Sequence, residues 1–295
     1  MAGSARVALF KSAGALLEAL PERVDVASAR WIAGRFARRD SAARRHLRTN
    51  VAHALRAPGG ALDEALLDSF VERGFASYGQ YWAEGAKLPA IEPDEVFSRF
   101  RIAEGLEHLR AAKDRGRGTV IALPHIGSWE WGGSYLNSLG LGMTAVAEEL
   151  DPPELFEWFR EKRESIGIRI EPLNDHAGTM LLRTLNENGV VGLLCDRDIQ
   201  NNGVEVEFFG ERVPLPAGPA TLALRTGATL VCAACYSGPG RDHFAVVTPP
   251  ITVERQGRLR ADVTRVTQLV ANELEGLIRR APEQWHVLQP RFEGE

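Results

Sequence analysis

Cysteine is scarce in this chain. Its 295 residues include three, Cys195, Cys232 and Cys235, too few for a disulfide framework, which fits a reducing, cytosolic compartment. Cys232-Ala233-Ala234-Cys235 has the spacing of a redox or metal pair, but it lies inside the apolar run Thr229–Tyr236. In a strand the two side chains would point to opposite faces, which predicts buried free thiols. No run of about 18 apolar residues exists, so no transmembrane helix is expected. Residues Met1–Leu20 lack a charged n-region, an apolar h-region and a cleavage site, so an export signal is not expected either. Also missing are a GxSxG nucleophile elbow, a P-loop, and a GxGxxG turn on a βαβ unit. A His/Glu metal site would lack an evident third ligand, so neither a metal nor a bound cofactor is expected.

What is present is an ordinary globular composition, 44% apolar and 25% charged, with an uneven charge distribution. Residues 1–60 carry ten Arg and one Lys against four acidic residues, a net of +7, whereas the whole chain is −4. A basic N-terminal region on an acidic body points to an anionic partner surface. Ala13, Leu16, Leu17 and Leu20 recur at helical spacing. After Pro21, Trp31, Ile32 and Phe36 are interleaved with Arg30, Arg35, Arg38 and Arg39. This pattern fits an amphipathic helix pair on a membrane of acidic lipids, or equally a helical hairpin docked on its own domain with its arginines solvated. Few stacking aromatics and no binding signature exclude nucleic acid as a partner.

The first 100 residues read as helical, with an amphipathic stretch over 61–85 set off by Pro58-Gly59-Gly60. From Gly118 onward, β-branched or continuous apolar runs predict strands at Thr119–Leu123, Met143–Ala147, Arg169–Pro172, 190–195, 205–209, 229–236 and 244–247. Between them, helices are predicted at Trp129–Ser138, 153–166, 178–186, 219–225 and 262–280. The last places Val263, Val266, Val270, Leu274, Leu277 and Ile278 on one stripe. The alternation predicts an α/β fold with a central, mostly parallel sheet flanked by helices, plus an N-terminal helical membrane-docking extension. Residues 1–100 form the helical region and 101–295 the α/β core of the same domain. Loops at the carboxyl ends of parallel strands are where such folds place their sites.

One such loop carries Pro124-His125-Ile126-Gly127-Ser128-Trp129-Glu130. An imidazole and a carboxylate five positions apart suit a general base and its orienting partner. On one regular helix they would diverge by roughly 140°. They converge only if His125 stays in the loop, Gly127 turns the chain, and Glu130 opens the helix. A satisfied turn histidine before a dipole-favoured glutamate is the plainer alternative. Asp196-Arg197-Asp198 follows the apolar strand Val190–Cys195. Asp196 is a second carboxylate able to orient His125 if the two strands are neighbours; a local Arg–Asp salt bridge is the other reading. Pro214-Leu215-Pro216-Ala217-Gly218-Pro219 reads as a rigid loop entering a helix. Trp285-His286-Val287-Leu288-Gln289-Pro290 reads as structural packing. What remains is a base-driven transfer without a covalent nucleophile.

Taken together, these blocks resemble the lysophospholipid acyltransferase superfamily, whose motif is His-x-x-x-x-Asp/Glu, and within it the lipid A lauroyl/myristoyl acyltransferase branch. Arg163-Glu164-Ser165-x-Gly167, Asp196-Arg197-Asp198, Phe208-Phe209-Gly210-Glu211, Pro216–Ala220, Thr226-Gly227-Ala228 and Trp285-His286-x-Leu288-Gln289-Pro290, in this order, are similar to the branch that acylates phosphatidylinositol mannosides. The resemblance implies a peripheral enzyme on the cytoplasmic face of the cell membrane. It would move a palmitoyl-type group from acyl-CoA, a co-substrate, to a mannose hydroxyl of phosphatidylinositol mannoside. By the same resemblance His125 is the base, and Glu130 and Asp196 are catalytic carboxylates. Glu148, Arg163 and Ser128 bind substrate, and backbone N–H groups near Gly127 and Ser128 are the oxyanion donors. Other readings are a different glycolipid acceptor such as lipid A, acyl carrier protein as donor, or a non-catalytic lipid-binding protein on the same scaffold.

Overall fold

The computed structural model describes residues 7–8, 11–12, 14–15, 21–56 and 62–292. The set Ala13, Leu16, Leu17 and Leu20 and the break Pro58-Gly59-Gly60 lie outside the described residues. Among the described residues from Pro21 to Arg99 there are helices α1 (Glu22–Ala37), α2 (Ala42–Leu55), α3 (Glu64–Lys87) and α4 (Pro93–Arg99). Side-chain caps fix two of the starts. Ser41 accepts the Arg44 N–H at 3.2 Å, and Asp63 accepts those of Ala65 and Leu66, satisfying donors that a first turn leaves unpaired.

The rest alternates: β1 (Phe100–Glu104), α5 (Leu106–Arg115), β2 (Thr119–Leu123), α6 (Trp129–Ser138), β3 (Met143–Ala147), α7 (Pro153–Glu164), β4 (Arg169–Pro172), α8 (Ala177–Asn186) and β5 (Val190–Leu194). There follow β6 (Val204–Phe208), β7 (Glu211–Leu215), α9 (Gly218–Thr226), β8 (Thr229–Ser237), β9 (His243–Val247) and α10 (Leu259–Arg280). Seven strands form one sheet in the order β1-β9-β8-β2-β5-β3-β4. All its neighbours are parallel except β8 with β9. The expected α/β fold with a mostly parallel sheet flanked by helices is therefore present.

Side chains alternate between two cores. Val120, Ala122, Val191, Leu230 and Cys232 face one layer with α8, α9 and α10, while Ile121, Leu123, Met143, Ala145 and Val190 face the other with α6 and α7. Every residue of the stripe predicted on α10 is buried. Cys232 and Cys235 are buried free thiols on β8.

Two readings are corrected. The predicted strand at 205–209 is not part of the alternating sheet; β6 pairs only with β7, antiparallel, in a separate hairpin. Pro214 and Leu215, read as loop, belong to β7, because Pro214 stands on a hairpin with a free outer edge, where a missing N–H is tolerated. β1, α5 and β7 had no counterpart in the sequence reading. Their short, charge-rich segments carry neither periodicity strongly.

Candidate active site

His125 follows the carboxyl end of β2, and Asp196 follows that of its parallel neighbour β5; the pairing Leu123↔Leu194 brings the two ends level. His125 Nδ1 lies 2.5 Å from Asp196 Oδ1, and the His125 backbone N–H donates to Oδ2 at 2.8 Å. Oδ2 also accepts the indole N–H of Trp285 at 2.7 Å. Asp196 is completely buried. Burial would raise its carboxyl, but the His125 imidazole and the hydrogen bonds from His125 and Trp285 hold it below the usual carboxylate range. An ionised carboxylate only accepts, so the Nδ1–H tautomer of His125 is favoured and Nε2 is left with its lone pair.

The loop between β2 and α6 is pinned from behind. Ile126 pairs with Trp285 in an isolated antiparallel bridge, in which Gly127 N–H donates to the Gln284 carbonyl (3.0 Å) and His286 N–H to that of His125 (2.7 Å). Gly127 has a positive φ of 53°, and a Cβ there would sit 2.1 Å from the Cys235 carbonyl oxygen, so only glycine fits. His286 Nε2 meets Ser77 Oγ at 2.9 Å. Burial, then the neighbouring His125, push the His286 imidazole down to about 3.

Glu130, in the first turn of α6, does not converge on His125. Its Oε1 accepts from Tyr81 OH of α3 (2.9 Å) and pairs with Arg163 of α7 (3.2 Å). Burial first, then the Glu130 carboxylate, push the Tyr81 phenol well above its ordinary value. Burial works against the Arg163 guanidinium, but Glu130 and Tyr81 outweigh it and keep it charged. Arg163 is held over the rings of Trp129 and Phe159. Two clusters thus stand where the motif suggested one: His125 with Asp196, and Arg163 with Glu130.

Both border a cleft of about 800 Å³. His125, Arg163, Glu148 and Tyr81 line it; Glu130 and Asp196 lie behind its wall. Ser128 is buried outside it, with its Oγ lacking a hydrogen-bond partner among the described residues. The Gly127 N–H is already taken by Gln284, so that group is not available as an oxyanion donor. Cys195 borders the cleft, but burial, then Asp196, push its thiol well up, which opposes the thiolate a nucleophile needs.

The cleft enters the sheet itself. β3 and β5 pair from Met143↔Val190 to Ala145↔Gly192 and no further, while β2 stays on β5 to Leu194 and β4 stays on β3 to Ala147. Past Ala145 and Gly192 the sheet therefore parts. Val146 and Ala147 form one lip and Leu193 and Leu194 the other, with Leu181 and Leu222 beyond. This is an apolar slot that starts beside the imidazole.

The model of the family described as bacterial lipid A biosynthesis acyltransferase matches residues 5–293. The chain belongs to this family. It is an acyltransferase. It is 37% identical over 250 residues to the phosphatidylinositol mannoside acyltransferase of Mycobacterium tuberculosis, covering 83% of this chain and 76% of that one. It is 34% identical over 284 residues to the protein of the same name from Mycolicibacterium smegmatis, covering 94% and 88%.

Of the residues singled out in the sequence, this acyltransferase brings His125 and Asp196 together, and separately Glu130 and Arg163. Tyr81 has no place in the sequence reading, and Trp285 stands there only as structural packing and within a block that carries the resemblance. The only sequence signal for Trp285 is its conspicuous block near the end of the chain; for Tyr81 there is none.

Of the two readings of the N-terminal sequence, the structure shows docking on the protein's own helices for α1. α1 crosses α3 so closely that a Cβ on Gly79 would lie 2.6 Å from the Ala29 carbonyl oxygen. Asp25 pairs with Lys87 (2.9 Å), and Arg30 donates to Gln80 (2.7 Å). The outer face still exposes Trp31 (65%), Ile32 (49%) and Phe36 (49%), with Arg35 and Arg39 over the aromatic rings. Among the described residues no helix is long and apolar enough to cross a membrane.

Proposed function

We propose that this acyltransferase moves a long-chain, palmitoyl-type acyl group from acyl-CoA to a mannose hydroxyl of a phosphatidylinositol mannoside. The observation that carries the proposal is the apolar slot between β3 and β5 opening beside a histidine backed by a buried carboxylate. The acyl chain lies in the slot with its thioester carbonyl at His125. His125 Nε2 takes the proton of the sugar hydroxyl as its oxygen bonds to the carbonyl carbon. The tetrahedral intermediate collapses, the C–S bond breaks, and the CoA sulfur leaves with the proton that His125 returns. No acyl-enzyme forms, because a thioester is activated enough for direct attack by an oriented hydroxyl.

Glu148 lines the cleft as an acceptor for sugar hydroxyls, and Arg163, steadied by Glu130, meets an anionic part of a substrate. The acceptor is a lipid, so the enzyme works at a surface. The exposed Trp31, Ile32 and Phe36, flanked by arginines, are suited to dock on anionic lipid at the cytoplasmic face of the membrane.

The test is incubation of the purified protein with palmitoyl-CoA or palmitoyl-carrier protein and phosphatidylinositol dimannoside, followed by mass spectrometry. Acylated mannoside from the CoA donor supports the proposal. Turnover only with carrier protein, or CoA release that leaves the mannoside unmodified, would overturn the donor or the acceptor, respectively.

A further inference from the structure

Among the described residues, three donors meet the two oxygens of Asp196. His125 supplies two, its Nδ1 to Oδ1 and its backbone N–H to Oδ2; the third is the indole N–H of Trp285, 2.7 Å from Oδ2. The carboxylate is sealed from solvent, so these bonds, with the charges around them, decide how much of its negative charge is felt by the imidazole. Trp285 is itself completely buried. Its ring is tilted against Phe209 and edge-on to Phe208 at the end of β6, and its backbone pairs with Ile126. The same residue thus holds the His125 loop by its main chain and the partner carboxylate by its side chain.

We propose that Trp285 is a positioning residue that sets the proton affinity of His125 through Asp196. The indole N–H draws charge toward Oδ2 and away from the oxygen facing the imidazole, so it limits how strongly Asp196 stabilises the imidazolium. A base must shed its proton again at each turnover, and a carboxylate with no such donor would hold it protonated over a wider pH range. Removing the donor without removing the ring therefore raises the His125 pKa and moves the acid limb of activity to higher pH.

The exchange changes no other charged group around the pair, Arg291 beside Asp196 included. Glu148 comes from the end of β3, Arg163 from α7, Tyr81 from α3, and Arg197 and Asp198 from the β5–β6 connection. His286 of the C-terminal segment is kept neutral by burial and by His125.

The inference rests on His125 as the base, and the experiment separates the two ideas. The full-length protein, Trp285→Phe and a protein with β-(3-benzothienyl)alanine at 285, whose sulfur replaces the indole N–H, are compared. The His125 imidazole is titrated by NMR, with its signal assigned by its loss in His125→Ala. The pH profile of kcat/KM is recorded alongside with palmitoyl-CoA and the dimannoside. The expected result is an upward shift of the His125 titration by about 0.5–1 pH unit in the folded variants, with the acid limb moving by the same amount. A loss of rate with both titration and limb unmoved would show a packing role alone and overturn the inference. A shifted titration with an unshifted limb would keep the Trp285 role and remove His125 as the base. If Trp285→Phe does not fold, the benzothienyl protein, which keeps the bicyclic shape, decides.

Discussion

Arg163 and Tyr81 meet on one oxygen of Glu130, at 3.2 and 2.9 Å. The carboxylate of the His-x-x-x-x-Glu motif therefore organises the cleft wall, while the imidazole of the same motif is served by Asp196. The division has a physical origin. His125 is fixed in the loop by Asp196 and the Trp285 segment, whereas Glu130 already rides on α6 and turns toward α3 and α7.

Glu130→Gln separates the two roles. It removes the charge that keeps the largely buried Arg163 guanidinium compensated, which should cost about 3 kcal/mol of stability. It should act on KM more than on kcat, with the His125 titration unmoved. Denaturant unfolding with steady-state kinetics checks this; a kcat loss as deep as that of Asp196→Asn would place Glu130 in the proton-transfer step.

Ala145 stands at the last pair before β3 and β5 part, buried and bordering the cleft. Ala145→Leu adds bulk at the throat of the slot. Overpacking there costs about 1–3 kcal/mol, roughly 5–150-fold. The loss should fall on palmitoyl-CoA and spare short-chain donors. A donor series from C8 to C18 reads it out; an equal loss for every length would mean that the chain lies elsewhere.

Docking by α1 predicts two distinct signatures. Trp31→Ala and Phe36→Ala should each lower partitioning onto anionic vesicles by about tenfold, from lost apolar burial. Arg35→Gln should lower it by about fivefold, and that effect should fade as salt rises. Sedimentation with vesicles of graded anionic content at two ionic strengths distinguishes the two.

His243 is buried, stacked on Trp131, and pushed down to about 3 by burial and then by Arg99. The unfolded chain takes up a proton near 6.5 that the folded chain refuses down to about 3. Stability should accordingly fall as pH drops below 6.5, with His243 contributing a slope of up to about 1.4 kcal/mol per pH unit. His243→Gln should flatten the dependence of the denaturation midpoint between pH 6 and 4. An unchanged slope would show that His243 is protonated in the folded state.

Much of this was legible in the residues. The strands Thr119–Leu123 and Met143–Ala147 carry continuous apolar runs, and the α10 stripe from Val263 to Ile278 repeats at helical spacing. Gly127 marks the turn that lets His125 stay in the loop. The partner of His125 was not decided by sequence spacing, because Asp196 reaches it only through the adjacency of β2 and β5, 71 positions apart in sequence. Trp285, 89 positions beyond Asp196, is a still longer-range case: an apolar block near a chain end gives no sign that its indole donates to a carboxylate. β1 and β7 escaped because strands of five residues, two of them charged, carry too little pattern to separate them from loop.

The central claim is that the His125–Asp196 pair moves the proton of the attacking hydroxyl, and single-turnover acyl transfer tests it most directly. Enzyme in excess over radiolabelled palmitoyl-CoA is mixed with the dimannoside, using wild type, His125→Ala and Asp196→Asn at matched fold stability. Losses of about 10³–10⁴ in the chemical step are predicted for both variants, since one lacks the base and the other favours the wrong tautomer. Transfer by His125→Ala at the wild-type rate would contradict the account.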